Sequence, residues 1–328
     1  MANPLSKLLK IFIPLVLGIV ILYFLYRKTN FHELWQYIKE ANWWILSFSL
    51  IFGLMGNVFR GFRWDLLIKP LGYQPKTSHI VYAVLGSYAV NFALPRAGEL
   101  WRCGMVSKTE KVPFPKLIGT ILIDRLFDVA MVGLFVLAAF VCNVKIFYKN
   151  RDLFDLPDWL TSPGLYIGLA VIAVTCIVLL VLFKNNPLVR KIRDFFIAMG
   201  QDMLQVWKMR EKTRFILYSF GIWISYFLYF YITFYAFDFT AQLGIAAGLF
   251  VFAISSISMS IPSNGGLGPW QATVVFGLCA YMVNIEQAKA FATAVFAFQS
   301  IWVVICGLFG MVMLSVGKEN SRTIKVVN

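Results

Sequence analysis

Six apolar runs, 11–26, 43–59, 126–141, 164–183, 215–237 and 290–316, carry a single charged residue among them, Asp128. Runs of that length have no stable place in water, and inside a bilayer each backbone N–H and C=O must find a partner within the protein. A segment that satisfies its own backbone is a helix, so the expected fold is an all-α polytopic membrane protein. Composition agrees: 59% hydrophobic, 17% aromatic and only 14% charged residues exclude a soluble domain. In a soluble protein the formal charge of +14 would suggest nucleic acid. Here the basic residues lie in loops beside the runs, where they set orientation and meet anionic headgroups, and no nucleic-acid partner is expected. The first run has a Lys7/Lys10 flank like a signal peptide, but Arg27-Lys28-Thr29-Asn30 follows in place of a small-residue cleavage site. It reads as a retained helix.

Two further apolar blocks are too short or too interrupted to cross. Run 80–95 ends at Pro95 and passes directly into Arg96, Glu99 and Arg102. Runs 245–261 and 270–283 are split by Pro262-Ser263-Asn264-Gly265-Gly266-Leu267-Gly268-Pro269. A spanning helix needs about 20 apolar residues, so each block is expected to enter the membrane, break, and leave on the side it came from. Broken backbone at membrane depth survives only where protein or a water-filled cavity satisfies it, so each break points to a polar pocket. Gly265, Gly266 and Gly268 allow close approach, and Pro269 suits the first position of a returning helix whose N–H groups could face an anion.

Loop charge sets direction. Lys184, Arg190, Lys191, Arg193, Lys208, Arg210, Lys212 and Arg214 crowd one loop, Arg60, Arg63, Lys69 and Lys76 another, and 96–116 a third. These and the C-terminal tail share the cytoplasmic side only if both termini are cytoplasmic and both short blocks are re-entrant. The expected protein is one integral membrane domain, 1–328, in the cytoplasmic (inner) membrane. It divides into a first half 1–141, a connector 142–214 with one span and a surface helix over 188–206, and a second half 215–328. The count is about six spanning helices plus two re-entrant hairpins in inverted-repeat halves, a transporter plan. Trp43, Trp44, Trp64, Trp159 and Trp270 fall near expected span ends as interfacial anchors, and Gly164/Gly168 and Gly244/Gly248 have spacings that allow close helix contact.

No cofactor or metal is expected. His32 and His79 stand alone, the five cysteines are scattered without a C-x-x-C pair, and no nucleophile elbow or Walker loop occurs. The reading is therefore a transporter more than an enzyme. Its candidate substrate-binding residues are Arg60, Arg63, Asn91, Pro95, Arg96, Glu99, Arg102, Asp124, Arg125, Asp128, Pro262, Gly265, Gly266, Gly268 and Gln271. On a helix, Asp124 and Asp128 at i, i+4 share a face, and Arg125 can pair with Asp128 at i, i+3. A charge at membrane depth costs at least about 2.5–3.5 kcal/mol unless it is paired or hydrated. Two outcomes fit that cost: a polar cavity, or an ion-pair network that staples helices. In a cavity, Arg63, Arg96, Arg102 and Arg125 would bind phosphate, since guanidinium matches phosphate with two parallel hydrogen bonds, and Glu99 and Asp128 would position them.

Arg60-Gly61-Phe62-Arg63-Trp64, Asn91 to Glu99 with Arg102, Asp124-Arg125-Leu126-Phe127-Asp128, and Gly265-Gly266-Leu267-Gly268 together resemble the lysylphosphatidylglycerol synthase membrane-region family, also called flippase-like membrane proteins. The resemblance implies a module that, in the best-understood members, moves an aminoacylated phospholipid between leaflets, other members being associated with polyprenyl-linked sugars or hopanoid lipids. It also implies a glutamate where this chain has Gln271. The 328 residues hold no room for a soluble aminoacyl-transfer domain, so the chain alone is not expected to be a synthase. Expected partners are membrane lipids, a glycosyltransferase or lipid-modifying protein, and a second copy of the chain. The alternative function is presentation of a polyprenyl phosphate to a glycosyltransferase.

Overall fold

The computed structural model describes residues 4–149, 209–261 and 263–323, with side-chain environments for 14–143, 209–261 and 263–316. One compact unit comprises Met1–Asn143 and Thr213–Asn328. The other, Val144–Lys212, falls almost wholly outside the described residues. The expected span 164–183, the helix over 188–206, Trp159, Gly164, Gly168 and Pro262 all lie outside them as well.

Among the described residues every regular element is helical, as the backbone argument requires. The longer helices are α1 (Pro4–Tyr26), α2 (Phe31–Glu40), α3 (Trp43–Ile68), α4 (Thr77–Ala93), α5 (Gly98–Glu110), α6 (Phe114–Lys149), α7 (Lys212–Tyr231), α8 (Ile245–Ser258), α9 (Pro269–Cys279) and α10 (Ile285–Thr323), and a single helical turn covers Asp238–Ala241. A 3-10 segment, Ile232–Ala236, extends α7. Among the described residues, four segments are long and apolar enough to cross a membrane: Trp43–Leu71, Phe114–Asn143, Lys212–Ala236 and Ile285–Val316. Pro14–Tyr26 and Ile245–Ser258 are shorter apolar helices.

Of the boundaries that differ from the sequence reading, two do so for one reason. The helix expected to end at 59 continues through Arg60, Arg63 and Asp65 to Ile68, and the run expected to start at 126 begins at Phe114. Counting charges as span ends fails where the charges pair with each other inside the protein. Helix α2 was not anticipated; Asn30 caps it by accepting from the His32 and Glu33 amides, and it buries Leu34 and Ile38.

Small residues set the helix spacing. Gly53 and Gly56 on α3 lie against the rings of Tyr229 and Tyr226 on α7, and Gly61 lies against Val81 on α4. Along the α4–α10 seam, Gly307 meets Ala89 and Gly310 meets the Tyr82 carbonyl. Without a hydrophobic drive between helices in lipid, such close backbone approach supplies the attraction. Gly248 on α8 touches the Tyr231 ring, whereas Gly244 faces open space, so only one glycine of that pair serves a contact.

Two helical hairpins interrupt the long helices. In the first, α4 and α5 pack together around the turn 94–97. Leu94 is extended, as the residue before proline prefers, and Arg96 turns the chain at φ 62°. The Gly98 amide donates to Asn91 Oδ1 at 2.8 Å, and a Cβ on Gly98 would strike the Ser87 carbonyl oxygen. In the second hairpin, α8 and α9 pack around a turn in which Gly268 has φ 90° and lies against Gly18 of α1. An L side chain there would meet both an unfavourable backbone and the α1 main chain.

Candidate functional site

Charges placed on α3, α5 and α6 meet in one buried network. Arg60 Nη1 lies 2.6 Å from Asp128 Oδ2 and 3.4 Å from Asp124 Oδ2. Arg63 Nε donates to Asp124 Oδ1 at 2.8 Å, and its Nη2 to Asp128 Oδ1 at 2.7 Å and to the Asp124 carbonyl at 3.1 Å. Arg102 Nη2 reaches Asp124 Oδ2 at 3.1 Å. The i, i+4 spacing read from the sequence is what lets both aspartates bridge the two arginines of α3, themselves one turn apart.

Second partners hold the guanidinium groups in place. Arg63 Nη1 donates to Ser219 Oγ on α7 at 3.3 Å. Arg102 stacks over the Trp64 ring at 4.6 Å, while Trp64 Nε1 donates to Thr120 Oγ1 at 2.8 Å. This corrects the interfacial reading of Trp64, which is fully buried beneath Arg102. Trp43 and Trp44 are exposed, as anchors should be, and Trp270 packs among Phe230 and Phe296.

Arg63 and Asp124 have no exposed side-chain surface, and Arg60, Arg102 and Asp128 have 8% or less. For these five the closed staple describes the geometry. Three guanidinium groups face two carboxylates, so the sealed cluster holds one surplus positive charge.

The rim is different. Arg125, with 46% of its side chain exposed, pairs with Glu99 and sits 3.5 Å from Asp128 Oδ2. Glu99 is 29% exposed and Asn91 half-buried. Arg96 is exposed, and its Nη2 donates at 2.5 Å to the Ser260 carbonyl, a neutral partner. Asn264 Nδ2 donates to the Phe92 carbonyl at 3.1 Å, and the Phe92 ring lies against Gly265. The tips of the two hairpins therefore touch each other.

Gly265, Gly266 and Gly268 do take positive φ, at 62°, 91° and 90°. The N–H groups expected to face an anion at the start of α9 are used locally. Gly268 N–H donates to Gln271 Oε1 at 2.7 Å and Trp270 N–H to the Gly266 carbonyl at 3.1 Å. Gln271 is buried, with its side-chain oxygen taken by the Gly268 N–H. Pro95 shapes the first turn, and Pro262 lies outside the described residues.

The sequence reading missed the tyrosines. Arg60 Nε donates to Tyr226 Oη at 3.4 Å, Tyr226 Oη donates to Asn57 Oδ1 at 2.8 Å, and Tyr88 and Tyr226 hydroxyls are 2.8 Å apart. A cue existed: Asn57 is a polar residue inside an apolar run, one turn before Arg60. Lys289 was also missed; it is buried with its Nζ 2.9 Å from Glu286 Oε1 and 2.8 Å from Thr29 Oγ1.

Long apolar helices, two broken helical hairpins and a buried arginine–aspartate network define a multi-pass helical membrane protein with an ionic core. The chain belongs to the family described as the lysylphosphatidylglycerol synthase TM region, which it matches over residues 11–307. Over 103 residues it is 32% identical to the UPF0104 membrane protein MJ1595 of Methanocaldococcus jannaschii, covering 30% of each chain. Over 102 residues it is 22% identical to the glycosyltransferase AglD of Haloferax volcanii, covering 31% of this chain and 16% of that protein. The matches thus span well under two thirds of either relative. No solved structure matches the chain.

Proposed function

We propose that this protein moves a phosphate-bearing lipid headgroup between leaflets of the cytoplasmic membrane. The observation that carries the reading is the surplus of positive charge at a rim shared by both hairpins. At the rim Glu99 cancels Arg125 and Arg96 is held only by a neutral carbonyl, while the sealed cluster behind it has one more guanidinium than carboxylate. An anion that displaces the Ser260 carbonyl from Arg96 and the Glu99 carboxylate from Arg125 gains two charge-assisted partners and leaves the staple intact. In this reading Arg96 and Arg125 bind phosphate, while Arg60, Arg63 and Arg102 hold α3, α5 and α6 rigid behind them. The hairpins are re-entrant from opposite faces, both termini are cytoplasmic, and the two halves form an inverted repeat about the contact between the tips. The headgroup passes along a polar groove beside Arg125 while the acyl tails stay in lipid.

Proteoliposomes carrying a fluorescent phospholipid in both leaflets test this by dithionite bleaching of the outer leaflet. Wild type should expose the inner pool, and Arg96→Ala/Arg125→Ala should lose most of that exchange. Equal rates for the two proteins with every phospholipid tried would refute transport. A second reading rests on the similarity to a glycosyltransferase: the membrane module presents a polyprenyl phosphate to a glycosyl-transferring partner. It would be favoured if the lipid copurifying with the protein were a polyprenyl phosphate and exchange were undetectable.

A further inference from the structure

The direction of the protons in the Asn57–Tyr226–Tyr88 chain decides what the rim can recognise beside phosphate. Tyr226 has one hydroxyl proton, and it goes to Asn57 Oδ1. Its oxygen receives the Arg60 Nε proton. Arg60 is itself fixed by Asp124 and Asp128, so the chain is polarised from a permanent cation. With its own proton committed, Tyr226 can only accept from Tyr88. Tyr88 therefore spends its proton inward and turns oxygen lone pairs alone toward its half-buried side. Tyr88 is linked to Arg125 through Tyr226, Arg60 and Asp128, each in contact with the next, and Asn91, one turn further along α4, is also half-buried. The Asn91 oxygen is occupied by the Gly98 amide, which leaves its Nδ2 donors on the same helix side as Tyr88.

We infer that Tyr88 is a specificity-determining acceptor: the site takes lipids whose headgroup carries a hydrogen-bond donor, a hydroxyl or an ammonium, a few bonds from the phosphate. The phosphate rests on Arg125 and the donor on Tyr88 Oη. This rests on the phosphate-binding reading above and narrows its substrate class. A headgroup without a donor leaves the Tyr88 lone pairs unpaired when water is excluded, and one such bond discriminates by roughly fivefold. Tyr226 and Asn57 act as positioning residues, because they fix which way the Tyr88 proton points.

Two lipid pairs isolate that bond from net charge. Phosphatidylglycerol and phosphatidylpropanol are equally anionic, and only the first has hydroxyls. Phosphatidylethanolamine and phosphatidylcholine are both zwitterionic, and only the first donates. Purified full-length protein is exchanged into mixed micelles holding equal amounts of one pair, with diacylglycerol as the phosphate-free control, and retained lipid is counted by native mass spectrometry. Wild type should retain the donor-bearing member of at least one pair roughly fivefold over its mate. Which pair responds distinguishes hydroxyl from ammonium. In Tyr88→Phe the ratio should fall to about one, provided its melting temperature and elution match wild type. Tyr226→Phe keeps Tyr88 but removes the acceptor for its proton, and it should shrink the same ratio. Wild type that retains phospholipid over diacylglycerol without discriminating within either pair overturns the inference and leaves the phosphate reading standing. So does a ratio unmoved by Tyr88→Phe. Retention no greater than that of diacylglycerol overturns both.

Discussion

The buried arginine–aspartate network and the contact between the hairpin tips use the same residue type in opposite ways. In the network, Arg63 makes hydrogen bonds to two carboxylates, a carbonyl and a hydroxyl, and no part of its side chain is exposed. At the tips, Arg96 is exposed and donates to a single carbonyl. Charges taken fully out of water and paired make a brittle joint, because removing one partner strands the other. A cation held by one neutral acceptor can exchange that acceptor for a ligand at little cost. The difference separates what must stay fixed from what is free to move: α3, α5 and α6 are locked, and the hairpin tips are clasped lightly.

The largest effect should follow from attacking the locked side. Asp124→Ala leaves Arg60 and Arg63 with Asp128 alone and takes from Arg102 its carboxylate partner, and stranding a buried charge costs about 3–5 kcal/mol. The expected outcome is little folded, monodisperse protein in detergent. If Asp124→Ala melts like wild type, the network is hydrated and the contrast between the two regions collapses. Next comes the turn of the second hairpin. Gly268→Ala forces a side chain into a φ of 90° and against Gly18, with a cost on the order of 1–3 kcal/mol. Its melting temperature should drop while Asn264→Ala, which removes only the bond to the Phe92 carbonyl, falls less.

Substitutions at Arg96 invert the pattern. Its side chain is exposed and its φ of 62° is left-handed, so Arg96→Gly relieves backbone strain while deleting the guanidinium. Stability should hold or rise by up to about 1 kcal/mol, and lipid exchange in proteoliposomes should fall at least as far as in Arg96→Ala. Exchange that survives Arg96→Gly would make Arg96 a turn residue only, and the lightly clasped region would lose its functional meaning.

Much of this arrangement was legible in the sequence, and the failures have physical causes. Pro95 after a short apolar run announced the first hairpin, and the glycines between Ser263 and Pro269 announced the second, because backbone chemistry is local. The shared face of Asp124 and Asp128, and the pairing of Arg125 with Asp128, followed from helical spacing. Which arginine would be sealed and which exposed was not legible. Arg63 and Arg96 look alike in sequence, and only the packing of α3 against α6 separates them. Trp64 misled because a tryptophan beside charges usually marks an interface, whereas here Arg102 covers its ring and Thr120 takes its N–H. Tyr88 and Tyr226 are 138 positions apart, so no local pattern joins them. Helix α2 is short, and its buried Leu34 and Ile38 depend on α10, which arrives from the far end of the chain.

The smallest expected effect tests whether a charge near the second hairpin matters at all. Gln271 Oε1 accepts the Gly268 N–H, and a glutamate at the same position accepts it equally well, with the partial positive charge of the α9 N-terminus in its favour. Burial opposes that charge, so the two influences offset and Gln271→Glu should shift stability by less than about 1 kcal/mol in either direction. Because the side chain is spent on its own turn and has no contact with Arg96 or Arg125, lipid exchange should keep both its rate and its pH dependence. Thermal melting and dithionite assays at several pH values check the two halves of the claim. A variant that gains steep pH dependence would place residue 271 in the transport path. The turn of the second hairpin would then carry a titrating group in the moving region, where the comparison gives it only a shaping part.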